Sequence, residues 1–417
     1  MAASIGAAAE WRRYWFLPLV AAFGYATAVL HIYSIGPFFA PITQEFGWTR
    51  AEFSLGLTTT SIISGIFCIP VGMLVDRIGP RRMALLGVPL MCATVALLGL
   101  ASGEGGNWIF LWGVVAVGTF FTQATVWTAA VATRFEASRG LAFGVTLCGA
   151  SVAAMLFPIF ATELIEAFGW RKAFMAMGGL WALLVFPMMA LLFRGARDVG
   201  GKAAAAAPSE ALRATTGLTI AEALRSPALY ILLLAGALFS FTILGAVIHF
   251  VPMLTDSGAT PLAAAGIAGL VGVFSIVGRL GTGFLLDRFP ARLVGAVAFL
   301  IPIGACALLL FDGANPISQS VAAAIIGLTL GSEVDVIAYL ATRHFGLKNF
   351  GALYGALITA LAFGTSFGPL AAARVFDTYG SYDPFLCLMI VLTTVSAVAL
   401  ICLGPAPRVQ AEGVGVS

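Results

Sequence analysis

Apolar positions in this chain come in long runs, separated by short polar stretches that hold most of its charge. Twelve such runs lie at about 14–40, 51–75, 83–101, 108–132, 140–162, 173–193, 228–252, 261–286, 292–311, 318–342, 350–374 and 384–404. Each approaches or exceeds the roughly 20 residues that a helix needs to cross the ~30 Å hydrocarbon layer of a bilayer. Period-two alternation is absent, so each run is expected to satisfy its backbone as a helix rather than as a barrel strand. The pattern predicts an all-α polytopic membrane protein with twelve transmembrane helices.

The polar stretches repeat. "GMLVDRIGPRR", from Gly72, is echoed by "GFLLDRFPARL", from Gly283, and the interval between their aspartates is 287 − 76 = 211 residues. The same offset aligns Pro41 with Pro252, Gly47 with Gly258, Thr49 with Thr260, Gly140 with Gly351, Pro158 with Pro369 and Gly169 with Gly380. Glycine, proline and charge matches at one offset are hard to obtain by chance, so the chain reads as two copies of a six-helix unit. Six spans separate the copies, which gives them the same membrane orientation, as in transporters that work by rocking two parallel halves about a midplane site. The expected division is residues 1–193, a linker at 194–227, and residues 228–417. The linker is rich in Gly, Ala, Pro and charge and is expected to end in a short surface helix from about Thr219.

Composition narrows the class. The chain is 60% hydrophobic and 10% charged, against about 25% charged in a soluble domain. The run after Trp11, Arg12 and Arg13 is too long for a secretory signal and is expected to be the first span. All six cysteines fall inside apolar runs, which argues against a disulfide framework. No zinc or iron–sulfur spacing and no nucleotide cradle is present, so neither a cofactor nor ATP is expected. The net charge of +3 gives no reason to expect a nucleic-acid partner, and nothing suggests more than a monomer in the bilayer. Arg77, Arg81, Arg82, Arg134, Arg139, Arg194, Arg288, Arg292, Arg343 and Lys348 fall on one set of connections. The positive-inside rule makes that side cytoplasmic and puts both termini there, in the cell membrane, or the inner membrane of a Gram-negative cell.

The first stretch resembles the signature loop of the major facilitator superfamily, G-x-L-x-D-R-x-G-x-R-R, through Gly72, Leu74, Asp76, Arg77, Gly79, Arg81 and Arg82. The second copy keeps Gly283, Leu285, Asp287 and Arg288 and has Pro290 at the later glycine. The resemblance implies a conformational latch on the cytoplasmic side, in which Asp76 engages the end of the fourth span at Arg134 and Asp287 engages Arg343. An aspartate there can accept helix N-terminal N–H groups and an arginine, then release both.

Where the copies differ, substrate chemistry is expected. Of 41 Asp, Glu, Lys and Arg residues (22 basic plus 19 acidic), three lie deep in the runs: Arg279, Glu333 and Asp335. Arg279 is eight residues before Asp287, or about 12 Å along a helix, and its counterpart in the first copy is Cys68. A mid-membrane arginine costs at least ~2.5–3.5 kcal/mol and requires a partner or a water-filled cavity. A guanidinium can grip a carboxylate through two hydrogen bonds. "GRLGTGFLLDR" resembles the eighth helix of the oxalate:formate antiporter and monocarboxylate transporter families, which implies that Arg279 binds a substrate carboxylate. "HIYSIGPFFAPI" resembles the end of their first helix and brings in Tyr33. The second cation of the oxalate transporter is replaced by Leu357, which suits a monoanion better than a dianion.

Glu333 and Asp335 are the candidate proton-coupling acids. Two apart on a helix, they point about 200° from each other, and Glu333 is favoured for its longer reach. The alternative for Arg279 is a permanent structural ion pair with one of them. His31, in the first span, is a further candidate for substrate contact or titration. The expected function is secondary transport of a small organic anion, chiefly a monocarboxylate, by proton symport or exchange against a counter-anion. The alternative is proton-coupled drug or metabolite efflux, disfavoured because "GASVAAMLFPIF" lacks the glycines that flank proline in the fifth helix of such exporters. No nucleophile–base pair or metal set points to an enzyme.

Overall fold

The computed structural model describes residues 7–135, 137–194, 217–346 and 350–404. Most of the expected linker, Gly72 and the Asp76 side chain lie outside the described residues. Among the described residues every regular element is a helix.

A short helix α1 (Ala7–Tyr14) leads into a first span broken into α2 (Phe16–Ala28), α3 (Leu30–Tyr33), a 3-10 turn at Gly36–Phe38, and α4 (Phe39–Phe46). Next come α5 (Arg50–Ile78), α6 (Pro80–Leu97), and a fourth span split into α7 (Gly105–Phe120) and α8 (Ala124–Ala132). The fifth and sixth spans form α9 (Arg139–Leu192), bent at Gly169. After the linker follow α10 (Ile220–Arg225), α11 (Pro227–Asp256) and α12 (Pro261–Leu286). The ninth span divides into α13 (Ala291–Leu300) and α14 (Pro302–Asp312), because Pro302 has no N–H to continue the ladder and is at home in a first helical turn. The chain ends with α15 (Pro316–Phe345), α16 (Phe350–Tyr379) and α17 (Asp383–Cys402).

The 211-residue offset holds in the backbone. Helices begin at Arg50 and Pro261, Pro80 and Ala291, Gly105 and Pro316, and Arg139 and Phe350. The turns match as well. Gly47 and Gly258 have φ of 67° and 96°, and Gly169 and Gly380 have 75° and 70°; a side chain would be strained in that left-handed region. The expected helix after Thr219 is α10, opened by a capping box in which Thr219 and Glu222 satisfy each other's backbone N–H groups.

The segments that precede each copy are hydrogen-bonded to the chain near the end of its fourth span. Buried Glu10 of α1 accepts hydrogen bonds from the backbone N–H of Ala137 (2.9 Å) and Ser138 (3.1 Å) and from the Ser138 hydroxyl (2.7 Å). Ahead of α10, the Leu218 N–H donates to the Phe345 carbonyl (2.9 Å).

The chain forms two compact units. Unit 1 is Met1–Ala206 with Ile248–Val273. Its core is aromatic: Phe38 stacks on Phe174 at 3.8 Å, and Phe39, Phe53, Trp108 and Trp112 form a contiguous series with centroids 4.2–5.6 Å apart. Unit 2 is Ala207–Val247 with Phe274–Ser417, and in it Phe239 stacks on Phe299, again at 3.8 Å. The units differ from the expected division over residues 248–273, and the contacts within unit 1 show why. A methyl group at Gly272 would overlap the backbone of Ser151 and Met155. The His249 ring lies 4.7 Å from Phe39, and Asp256 pairs with Arg50.

Glycines also bring α12 and α15 together in unit 2. A methyl group at Gly278 would overlap the Leu328 carbonyl, and one at Gly331 the Ser275 carbonyl, whereas Gly281 faces open space. Gly278→Ala and Gly331→Ala should therefore each lower stability by about 1–3 kcal/mol, the usual range for overpacking. Gly281→Ala should not. Thermal unfolding of the detergent-solubilised protein separates the two outcomes.

Candidate functional site

The close approach of α12 and α15 in unit 2 is what places charge against charge. Arg279 sits one residue beyond Gly278, and its guanidinium Nη1 donates to Asp335 Oδ1 at 3.1 Å. The side chains are 15% and 29% exposed, so the pair is only partly shielded. One turn further along α12, the Thr282 and Ser332 hydroxyls meet at 2.6 Å.

Arg279 is under-used. A guanidinium carries five N–H donors, yet the one hydrogen bond given to it among the described residues is the one to Asp335. Its Nε is buried without a partner. An arginine held by one of five donors is positioned but not neutralised by the full fork-to-fork pairing a carboxylate can offer.

Glu333 takes a different direction. It is 2% exposed and its carboxyl is hydrogen-bonded by the Ser240 hydroxyl of α11. The 200° divergence of the two acids is thus realised as a division of partners: Asp335 faces Arg279, and Glu333 is sealed against α11. The preference for Glu333 from its longer reach meets this geometry directly, since the acid beside the arginine is Asp335. Ser240, Ser332 and Thr282 were not singled out from the sequence. Hydroxyl residues are frequent in such helices, and only the packing of α11, α12 and α15 identifies these three as partners.

His31 and Tyr33 belong to unit 1, and the Arg279 cluster to unit 2. His31 is 5% exposed on α3, with its ring 6.2 Å from Trp112. Tyr33 closes α3 and is half-buried.

For the expected latch, the Asp76 side chain lies outside the described residues. Arg134 stacks over Tyr14 at 4.9 Å and donates to its hydroxyl at 3.3 Å. In the second copy Asp287 is exposed, and Arg288 lies 3.5 Å over the Phe284 ring. Arg343 donates to the Tyr339 hydroxyl at 3.1 Å, and no ion pair links it to Asp287 among the described residues. No group of His, Cys, Asp and Glu that could hold a metal occurs among the described residues.

The sequence matches the family described as Major Facilitator Superfamily over residues 21–369. It is similar to monocarboxylate transporter 13 of Rattus norvegicus, 24% identical, with 77% of this chain and 73% of the relative aligned. A gallate transporter of Pseudomonas putida is 25% identical over 77% and 79% of the two chains. A chloramphenicol resistance protein of Streptomyces lividans is 26% identical over 82% and 85%. Among solved structures, a bacterial homologue of the human lysosomal transporter Spinster, in an inward-facing and unoccupied conformation, matches 94% of each chain with a TM-score of 0.67 at 17% identity. That likeness is one of fold.

Buried Glu333 needs its hydroxyl partner. Ser240→Ala should destabilise the protein by about 1–3 kcal/mol, the cost of leaving a buried polar group unsatisfied. Adding Ser240→Ala to Glu333→Gln should cost much less than adding it to the parent protein. A double-mutant cycle on thermal unfolding measures that coupling, and strict additivity would mean that the two side chains do not interact.

Proposed function

The chain belongs to the major facilitator superfamily and is a multi-pass membrane transporter rather than an enzyme; from that premise we propose that it carries a small organic anion, chiefly a monocarboxylate. The observation that supports the substrate class is Arg279. It is a cation within a membrane-spanning helix, held by a single hydrogen bond to Asp335 and left with donors to spare. A substrate carboxylate can occupy two of those donors at once, and such charge-assisted pairs are the strong ones. The relatives named for monocarboxylate and gallate transport agree with this reading. The relative named for chloramphenicol resistance favours the alternative, proton-coupled drug or metabolite efflux.

In this proposal Asp335 is the coupling acid. It holds Arg279 when substrate is absent, gives it up when a carboxylate binds, and takes a proton while it is unpaired. Glu333, enclosed with Ser240, orders α11 against α15. His31 and Tyr33 contribute to substrate contact from the first span, and the Asp76 and Asp287 turns act as latches that form in part of the cycle. The halves 1–193 and 228–417 move about the 194–227 linker, and both termini face the cytoplasm.

Proteoliposomes loaded at one pH and diluted into another test the substrate and the coupling together, using labelled acetate, lactate, benzoate and chloramphenicol. Arg279→Lys keeps the charge but loses the planar fork, so affinity for the transported carboxylate should fall by roughly 1.5–3 kcal/mol. Asp335→Asn should abolish accumulation driven by the pH gradient while exchange of substrate for substrate continues. Undiminished carboxylate uptake by Arg279→Gln would overturn the assignment, and transport of chloramphenicol alone would favour the alternative.

The orientation has its own measurement. In intact cells an impermeant thiol reagent should label Ser257→Cys and leave Ala221→Cys untouched. The reverse would invert the topology.

A further inference from the structure

Three ion pairs occur among the described residues. One is the Arg279–Asp335 pair of the candidate site. The other two involve acids at the same position of the repeat, since 256 − 211 = 45 aligns Asp256 with Glu45. Each lies at the end of the first span of its copy, two residues before a left-handed glycine. Their partners are different in kind.

Glu45 is stitched into its own copy. It accepts a hydrogen bond from Trp170 Nε1 at 2.6 Å and pairs with Arg171 at 2.7 Å. Arg171 also donates to the Ala101 carbonyl at 2.6 Å. The indole and the guanidinium thus occupy one Glu45 carboxylate oxygen each.

Asp256 has no such partner at the matching place, because the position aligned with Arg171 is Tyr382 (171 + 211 = 382). Asp256 instead reaches Arg50, the first residue of α5, in the other copy of the repeat. The pairing is a full fork: Nη1 to Oδ2 and Nη2 to Oδ1, both at 2.8 Å. Arg50 stands on a rigid mount, since Thr49 and Glu52 close a capping box around the start of α5. The two side chains are 18% and 36% exposed. They line an open cavity of about 430 Å³ in unit 1, with Thr43, Gln44, Thr162 and Glu166 also in its wall. The position aligned with Arg50 is Pro261, so this pair has no duplicate in the repeat.

Permanent stitching joins elements that move together, as Glu45 and Arg171 do within one copy. A cross-copy pair with good geometry and water at its edge is suited to form and break, because a partly exposed ion pair contributes little net stability. We propose that Arg50 and Asp256 form a releasable closure at the end of the chain away from the arginine-rich turns. The pair holds α5 and the end of α11 together in the conformation described here and breaks when the path opens on that side. This rests on the reading of the chain as a secondary transporter but not on which substrate it carries.

The test is accessibility. Thr162→Cys, 2% exposed in the cavity wall, is introduced after the native cysteines are replaced by serine, and its reaction with a membrane-impermeant maleimide is timed in proteoliposomes. Asp256→Asn and Arg50→Gln should each raise the labelling rate threefold or more. The charge swap Arg50→Asp with Asp256→Arg should bring it back toward the starting rate. Glu45→Gln, which removes the stitched pair, should leave it unchanged, and thermal unfolding identifies any variant that has lost its fold. Unaltered labelling in both single variants, or equal acceleration by Glu45→Gln, would overturn the closure. Because no substrate is added, a failure of carboxylate transport leaves this measurement intact.

Discussion

A guanidinium inside a hydrocarbon layer has to be solvated by protein, by water or by a ligand, and that requirement organises the second half of this chain. Arg279 draws Asp335 toward it, and the pair can meet only because Gly278 and Gly331 let α12 and α15 close to backbone contact. The same approach puts Thr282 against Ser332. Opposite, Glu333 needs a partner of its own and takes Ser240 on α11. Three helices are thus fixed by the partners of three ionisable side chains. The arrangement is incomplete by design of its parts, since one carboxylate oxygen cannot satisfy five donors.

Regular features of the fold were readable because they depend on local chemistry and bilayer thickness. Run length marked the spans, and the 211-residue offset marked the repeat down to shared helix starts and left-handed glycines. The short helix expected from about Thr219 is α10. Breaks within spans were less legible. The first, fourth and ninth are each built from more than one helical piece, and a run of apolar residues does not say where its ladder of hydrogen bonds is interrupted. Pro302 carried such a signal; the break between Phe120 and Ala124 carried none as plain.

The candidate site was legible as a set of three charged residues and not as a set of contacts. Sequence spacing said that Glu333 and Asp335 diverge, but which one meets Arg279 depends on the rotation of α15 about its axis, set by Gly331 packing on Ser275. Side-chain reach, read from the sequence, carries no information on that rotation. The Arg50–Asp256 pair joins residues 206 apart in the chain, so nothing in either local stretch announced it. The offset did carry half of the signal, by aligning Asp256 with Glu45 and Arg171 with an uncharged Tyr382.

The matched helix starts have a consequence for descent. A chain of two like copies is what results when the gene for a six-helix ancestor, active as a pair of identical subunits, is doubled and fused. In such a pair every side chain occurs twice about the symmetry axis, so an arginine on the second helix would bring two positive charges to one site. Once the two copies lie in one chain they are free to differ, and here one carries Arg279 where the other carries Cys68. Joining the copies thus permits a single charge at a position that symmetry would have doubled.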